Sequence, residues 1–406
     1  MNIFKLSWKY LMDKPLSTGL NILLLALGLS IITVLLLIEE QFENKMNKDA
    51  SGIDLVIGAK GSPLQLVLSS VYHIDFPTGN IPLDEAKSVS RNRLIKKAIP
   101  MGLGDNFGGF RIVGSTHDYL ELYDVSFNSG NAWNKPFEVV LGSRVAKEKG
   151  LKVGDTFVGS HGIASASHEH DEQAYLVVGV LAPSFNVIDQ LILTSIESIW
   201  YSHDEDFDKK KLEQEVEKTG FPKTDQAREL TTVLISYRNP IAAVQLPRLI
   251  NSRSSLQAAS PSFEISRLFE LLGIGIALVQ GLALVIILIA GLGIFIALYS
   301  SLKQRNYDLA VMRAIGASKG QLFLLILLEG ILLTFIGALA GLFLGHLFLY
   351  LLVMVNEQGI ISDFKTFVFI KKEWWVLAYA LSVGVLASII PAWNAYRTQI
   401  AGQLTK

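Results

Sequence analysis

The chain contains no cysteine among its 406 residues, which excludes disulfide bonds and thiolate metal sites. Charged residues are few, at 18%, and 36 Lys/Arg nearly balance 37 Asp/Glu. Without a basic excess, no nucleic acid partner is expected. Half of the residues are hydrophobic and the mean hydropathy is positive, which is typical of membrane spans.

Two catalytic motifs are also missing. No Gly-x-x-x-x-Gly-Lys-Ser/Thr occurs, so any ATP chemistry must come from another polypeptide. No convincing Gly-x-Ser-x-Gly nucleophile turn is present either, and Ser69 and Ser70 near Tyr72 fit turn and packing positions better. We therefore predict that the chain is not an enzyme by itself and binds no cofactor directly.

Four apolar runs are near or above the roughly 20 residues that cross a membrane as a helix. The first has no small-residue cleavage site after it, which indicates an uncleaved anchor. The predicted pieces are an interfacial helix at 1–15, spans at 16–38, 271–299, 322–355 and 374–393, a stalk and outer domain at 39–270, a cytoplasmic segment at 300–321, an outer loop at 356–373 and a tail at 394–406.

The charges orient these spans. The pieces on the side of the two termini carry nine Lys/Arg and two Asp, and an excess of Lys/Arg marks the cytoplasmic side. We therefore predict a multi-pass protein of the bacterial cytoplasmic membrane, in contact with lipid, with both termini in the cytoplasm and residues 39–270 outside.

The predicted fold class is an α-helical membrane protein with four spans, one before and three after an inserted outer domain. We predict that this domain is two-lobed and α/β (α+β). Strand-like apolar runs predict strands at 54–57, 110–113, 137–141, 175–181, 191–194 and 231–237. Helical patterns lie at 83–93, 143–149, 207–218 and 241–251.

The cytoplasmic segment has the local chemistry of a helix, a tight turn and a second helix. Its predicted apolar side consists of Leu302, Leu309, Met312 and Ile315. Gly316 suits a helix stop. Ser318, with Gln321 three residues on, suits a capping box for the next helix.

Several stretches resemble the FtsX-like permeases of ABC transporters, and within them the MacB type. They are Lys303–Ser318, Leu328-Glu329-Gly330 with the glycines that follow it, Val139–Asp155, Val177–Leu181 and Pro391–Arg397. The resemblance covers nearly the whole chain. It implies a homodimer, or a pair with a similar permease, bound to cytoplasmic ATP-binding subunits that hold ATP and Mg²⁺.

The same resemblance implies that the helix around residues 305–315 docks on the ATPase. The expected coupling residues are Arg305, Asp308, Met312, Arg313, Ile315 and Gly316. ATP-driven motion would then be transmitted to the outer domain for export or extraction of a substrate. A non-transporting scaffold that activates an outer partner, such as a cell-wall hydrolase, and a zinc-linked system are the alternatives. An outer-membrane partner is compatible with each.

Polar and small residues in the third span add two hypotheses. Gly337, Gly341 and Gly345 recur every four residues and predict close helix packing, within the chain or in a dimer, against the alternative of a generic glycine-rich span. Glu329 is an acid inside the span, which is costly unless it is paired or near water. It is either a polar contact with the coupling segment or a carboxylate that reaches the interface.

Three of the seven histidines, His161, His168 and His170, lie in one loop with carboxylates. Imidazole and carboxylate groups at this spacing fit a zinc site, and the alternative is a solvated loop.

Overall fold

The computed structural model describes residues 3–159, 174–202, 204, 212–356 and 364–397. It divides into two compact units, one formed by Met1–Glu43 with Leu271–Lys406 and the other by Asn44–Glu270. The helices are α1 Ile3–Met12, α2 Pro15–Asp49, α3 Pro63–Ser70, α4 Leu83–Ser90, α5 His117–Leu122, α6 Ser143–Lys149, α7 Ile196–Ser202, α8 Ala242–Arg253, α9 Pro261–Gln304, α10 Asn306–Ala314, α11 Lys319–Val355 and α12 Glu373–Tyr396. The strands are β1 Leu55–Ala59, β2 Ile81–Pro82, β3 Ile95–Phe107, β4 Phe110–Ser115, β5 Phe127–Gly130, β6 Glu138–Leu141, β7 Thr156–Phe157, β8 Tyr175–Leu181, β9 Leu191–Ser195, β10 Glu229–Leu230, β11 Thr232–Tyr237 and β12 Leu256–Ala259.

The first unit is helical. Within the described residues, α2, α9, α11 and α12 are the helices long and apolar enough to cross a membrane, which confirms the four predicted spans. Leu25 and Leu29 of α2 pack with Ile287 and Ile294 of α9 and with Leu333 of α11 in a buried core. Both α2 and α9 extend beyond the length that a bilayer needs.

The second unit is a mixed α/β domain. Its main sheet has the order β12-β1-β11-β3-β4-β9-β6-β8-β5, with β7 paired to β8. Most neighbours are antiparallel, but β4 with β9 and β6 with β8 are parallel. Two separate apolar cores pack against it, one around Leu55, Val233 and Leu246 and the other around Ile112 and Val139. The predicted fold class is confirmed.

Two features of this unit differ from the sequence-based expectation. The helix expected at 207–218 is wrong where the chain is described, because residues 215–218 have no helical structure. The long strand β3 was not predicted, since Pro100, Gly102 and Gly104 interrupt its alternation. Its pairing with β4 shifts register between Leu103 and Asn106, so the strand bends where the pattern breaks.

Candidate functional site

The candidate site is the coupling segment, defined as α10 with the turns on either side of it. Helix α9 ends at Gln304, and Arg305 leaves helical geometry for one residue before α10 begins. At the other end, Gly316 has φ +108° and the Ala317 N–H donates to the Met312 carbonyl at 2.9 Å. A left-handed residue with such a bond closes a helix end, so the predicted stop is present.

The start of α11 also follows the predicted chemistry. The Gln321 N–H donates to Ser318 Oγ at 3.2 Å, and the Ser318 N–H donates to Gln321 Oε1 at 2.8 Å. These two bonds form the capping box. The turn between α10 and α11 is therefore fixed at both sides by hydrogen bonds and holds α10 in one orientation relative to α11.

One side of α10 is buried. Leu309 of α10 is 1% exposed and packs, together with Leu302 from the last turn of α9 at 6%, against the start of α11 and the end of α12. Met312 is partly buried against the same cluster. Ile315, predicted on this side, is instead 82% exposed: it keeps helical geometry and donates its N–H to the Val311 carbonyl at 3.0 Å, but six residues after Leu309 it lies about 120° around the helix from that residue.

The opposite side of α10 is open. Tyr307 is 60% exposed, and Asp308, Ile315 and Gly316 are exposed as well. Arg313 is half-buried, and its Nε has no hydrogen-bond partner among the described residues. The exposed surface thus combines an aromatic ring and a carboxylate in the first turn of α10 with an aliphatic side chain at its capped end. We call Tyr307, Asp308, Ile315 and Gly316 the open face.

Arg305 points away from the open face and into its own unit. Its side chain is 12% exposed, and its Cζ lies 3.9 Å from the centre of the Tyr10 ring. Nη2 donates to the Tyr10 carbonyl at 3.1 Å and lies 3.6 Å from Asp13 Oδ2. Burial raises the pKa of the Tyr10 phenol, so the ring is neutral and offers its face to the guanidinium. Arg305 is therefore an internal anchor of the coupling segment.

Glu329 of α11 is the acidic partner of this anchor. It is 3% exposed, and its Oε1 lies 3.7 Å from Arg305 Nη1. That distance permits an ion pair but is too long for a hydrogen bond. A carboxylate that reached the interface would be exposed, so the geometry favours the interpretation as a polar contact with the coupling segment.

Helix α1 packs against Arg305 through Tyr10. Ser7 Oγ donates to the Leu325 carbonyl at 3.1 Å, and Ile3 and Tyr10 pack against the cluster beneath α10. The other side of α1 exposes Phe4, Trp8 and Met12 at 58%, 46% and 62%. An apolar row at a spacing of four residues is typical of an interfacial helix.

The three glycines of α11 lie against α2. A Cβ at Gly337 would meet Leu25, one at Gly341 would meet Leu29 and the Ala26 carbonyl, and one at Gly345 would meet Thr33 and the Ser30 carbonyl, all within 3.3 Å. The glycine row thus permits close packing of two helices of the same chain. On α12, Gly384 approaches Thr334 of α11 in the same manner, a contact that its position in an isolated span did not reveal.

The predicted zinc ligands, His161, His168 and His170, lie outside the described residues. Among the described residues no group of three or more His, Asp or Glu side chains could hold a metal ion. The zinc hypothesis stays a prediction.

Two sequence families match the chain and together cover most of it. The MacB-like periplasmic core domain matches residues 18–245, which is more than half of the chain, and the FtsX-like permease C-terminal family matches residues 281–400. The chain belongs to the MacB-type FtsX-like permeases. With four apolar helices, a member of this family is a membrane protein with a domain outside the cytoplasm.

Two solved structures are similar to the outer domain of this permease. The periplasmic region of MacB from Actinobacillus actinomycetemcomitans is 13% identical, with 56% of this chain and 98% of that one covered and a TM-score of 0.35. The extracellular domain of the noncanonic ABC-type transporter YknZ from Gram-positive bacteria is 10% identical, with 51% and 99% covered and a TM-score of 0.31. No curated protein matches the chain. The assignment rests on the two sequence families.

Proposed function

We propose that this permease is the transmembrane subunit of an ABC complex and that the open face of α10 docks on a separate cytoplasmic ATP-binding subunit. The observation that carries the proposal is Ile315, an aliphatic side chain 82% exposed on a turn that hydrogen bonds hold rigid. A large apolar side chain that is exposed at a fixed position is typical of a protein interface.

The contacts of the coupling segment supply a route for motion. Arg305 connects α10 to α1 through Tyr10 and Asp13, and to α11 through Glu329. Helices α2 and α9 each continue as one helix from the apolar span into residues of the second unit. Displacement of α10 by an ATPase would thus reach the outer domain, in support of export or extraction of a substrate. In this proposal both termini are cytoplasmic and two permease chains pair in the complex.

A photo-crosslinking experiment tests the docking. A photoreactive phenylalanine analogue replaces Tyr307 in the full-length chain in native membranes, and adducts are identified by mass spectrometry. The matched control carries the analogue at Tyr350, an aromatic residue of α11 that is 42% exposed near its other end. We expect an adduct with an ATP-binding subunit from position 307 alone. Equal labelling from both positions, or no ATP-binding subunit in either sample, would remove the proposal.

A further inference from the structure

A cavity of about 340 Å³ lies beside the Arg305–Glu329 pair, between the start of α2, the end of α9 and the start of α11. Its polar lining includes Lys14, Ser17, Arg305 and Glu329. Leu20 and Ile296, which are 56% and 63% exposed, contribute apolar lining. The cavity therefore joins a charged interior to the apolar surface of the spans, at the ends of α2 and α9 that lie away from the inserted domain in the chain.

Two buried polar atoms at this cavity are unsatisfied within the described residues. Glu329 Oε2 has no hydrogen-bond partner, and the side chain of Glu329 is only 4% exposed. Arg305 Nη1 also lacks a hydrogen bond, since its distance of 3.7 Å to Glu329 Oε1 is too long for one. A buried carboxylate oxygen requires a donor and a buried guanidinium requires an acceptor, and leaving either without one is costly. The donor that Glu329 requires and the acceptor that Arg305 requires are therefore needed at neighbouring positions.

The charges around the cavity restrict which ligand can form hydrogen bonds with Glu329 and Arg305. Lys14 and Arg305 supply two cationic groups, and Glu329 and Asp13, which lies 3.6 Å from Arg305, supply two carboxyl groups. A ligand with a net charge would disturb this balance, whereas a group that carries one charge of each sign would not. The cationic group of the ligand must also donate a hydrogen bond to Glu329. A quaternary ammonium is excluded because it has no N–H.

We propose that this cavity binds the headgroup of a zwitterionic phospholipid with a primary amine. Its ammonium donates to Glu329 Oε2, its phosphate accepts from Arg305 Nη1 beside Lys14, and its acyl chains run along Leu20 and Ile296. Because the charged cavity opens beside apolar side chains of spans, a lipid fits it better than a soluble zwitterion. The inference needs only the membrane location of the helices and is independent of ATPase docking.

Native mass spectrometry of the delipidated full-length protein tests the site. The probes are phosphatidylethanolamine, its N-monomethyl and N,N-dimethyl derivatives and phosphatidylcholine, all with identical acyl chains. Loss of a hydrogen bond to a buried charged group predicts binding about tenfold weaker for phosphatidylcholine, which has no N–H, than for phosphatidylethanolamine. Equal binding of the first and last members of the series would overturn the proposal, and this comparison requires no variant.

A pair of variants locates the preference. Glu329→Gln should bring the ratio of the two affinities close to one, whereas Glu373→Gln, which changes a buried carboxylate near the other end of α11, should leave the ratio unchanged. A preference that persists in Glu329→Gln would place the lipid elsewhere and contradict the proposal.

Two further probes identify the source of the headgroup. We expect phosphatidylglycerol, which is anionic, and soluble O-phosphoethanolamine both to bind more weakly than phosphatidylethanolamine. Equal binding of phosphatidylglycerol would refute the charge argument. Equal binding of O-phosphoethanolamine would refute the assignment to a lipid.

Discussion

Helix α11 carries a buried carboxylate contact near each end, and the two differ in how completely they are satisfied. Near its second end, His346 Nε2 lies 3.3 Å from Glu373 Oε2, and His346 Nδ1 donates to the Thr366 carbonyl at 2.7 Å. Glu373 is fully buried. The buried carboxylate at this end thus has a hydrogen-bond partner, and we call the His346–Glu373 contact the closed latch.

The His346–Glu373 end is also joined to α2. Lys372 lies 2.8 Å from Glu40, and the Lys365 N–H donates to Gln41 Oε1 at 2.6 Å.

At the first end of α11, Glu329 lies 3.7 Å from Arg305 and keeps one oxygen without a hydrogen bond among the described residues. The contrast is therefore between a carboxylate whose partner lies within hydrogen-bond distance and one, beside the coupling segment, whose only described partner lies beyond it.

The largest effect is expected between the two ends, where α11 packs on α2. Gly341→Leu places side-chain atoms where Leu29 Cβ is 2.8 Å and the Ala26 carbonyl 3.0 Å from the new Cβ. The backbone carbonyl cannot yield as a side chain can, so we expect a loss of about 3 kcal/mol. Thermal unfolding of the purified protein in detergent measures it.

The matched control is Gly281→Leu in α9, where a Cβ meets nothing within 4 Å. This control separates overpacking from any general intolerance to Leu in a span. Similar melting temperatures for the two variants would contradict the packing account.

The closed latch gives the next largest effect. Glu373→Ala removes the acceptor for His346, which is left buried with one nitrogen unpaired, and should cost about 1–3 kcal/mol. A double-mutant cycle with His346→Ala measures the coupling. The double variant should lose less stability than the sum of the single variants, and strict additivity would mean that the two side chains do not form a latch.

The end of α11 at Glu329 gives the smallest effect on stability. Glu329→Gln removes a buried charge whose desolvation cost is only partly offset by Arg305 at 3.7 Å, so we expect a loss of about 1 kcal/mol or less, below that of Glu373→Ala. The melting temperatures of the two variants in the same detergent show which variant loses more stability. A larger loss from Glu329→Gln would reverse the comparison between the two ends.

Local chemistry made much of the coupling segment predictable from sequence. Gly316, Ser318 and Gln321 act on neighbours within a few residues, so the stop and the capping box could be derived without tertiary structure. The specific partners of Arg305 and Glu329 could not, because these contacts join three distant parts of the chain, at residues 10–13, 305 and 329. The error at Ile315 has a different origin, since a residue six places after Leu309 lies about 120° around the helix from it and so off the buried side.

The outer domain shows the same division. Strands that form short, uninterrupted apolar runs, such as β8 and β9, were predicted close to their observed bounds, at 175–181 and 191–194. The glycines and proline of β3 hid a strand that pairs with both β11 and β4 in the main sheet. Long-range pairing decided that element, and a single sequence carries little record of such pairing.

The central claim is that an ATPase drives this permease through the open face of α10, and ATP hydrolysis by the reconstituted complex tests it most directly. Ile315→Asp should weaken association with the ATP-binding subunit about tenfold, because a charge replaces an apolar contact at an interface. Val355→Asp, which changes a side chain 81% exposed at the last residue of α11, is the matched control. We predict that permease-dependent ATP hydrolysis falls in Ile315→Asp and is unchanged in Val355→Asp. Equal hydrolysis by the wild type and Ile315→Asp would contradict the account.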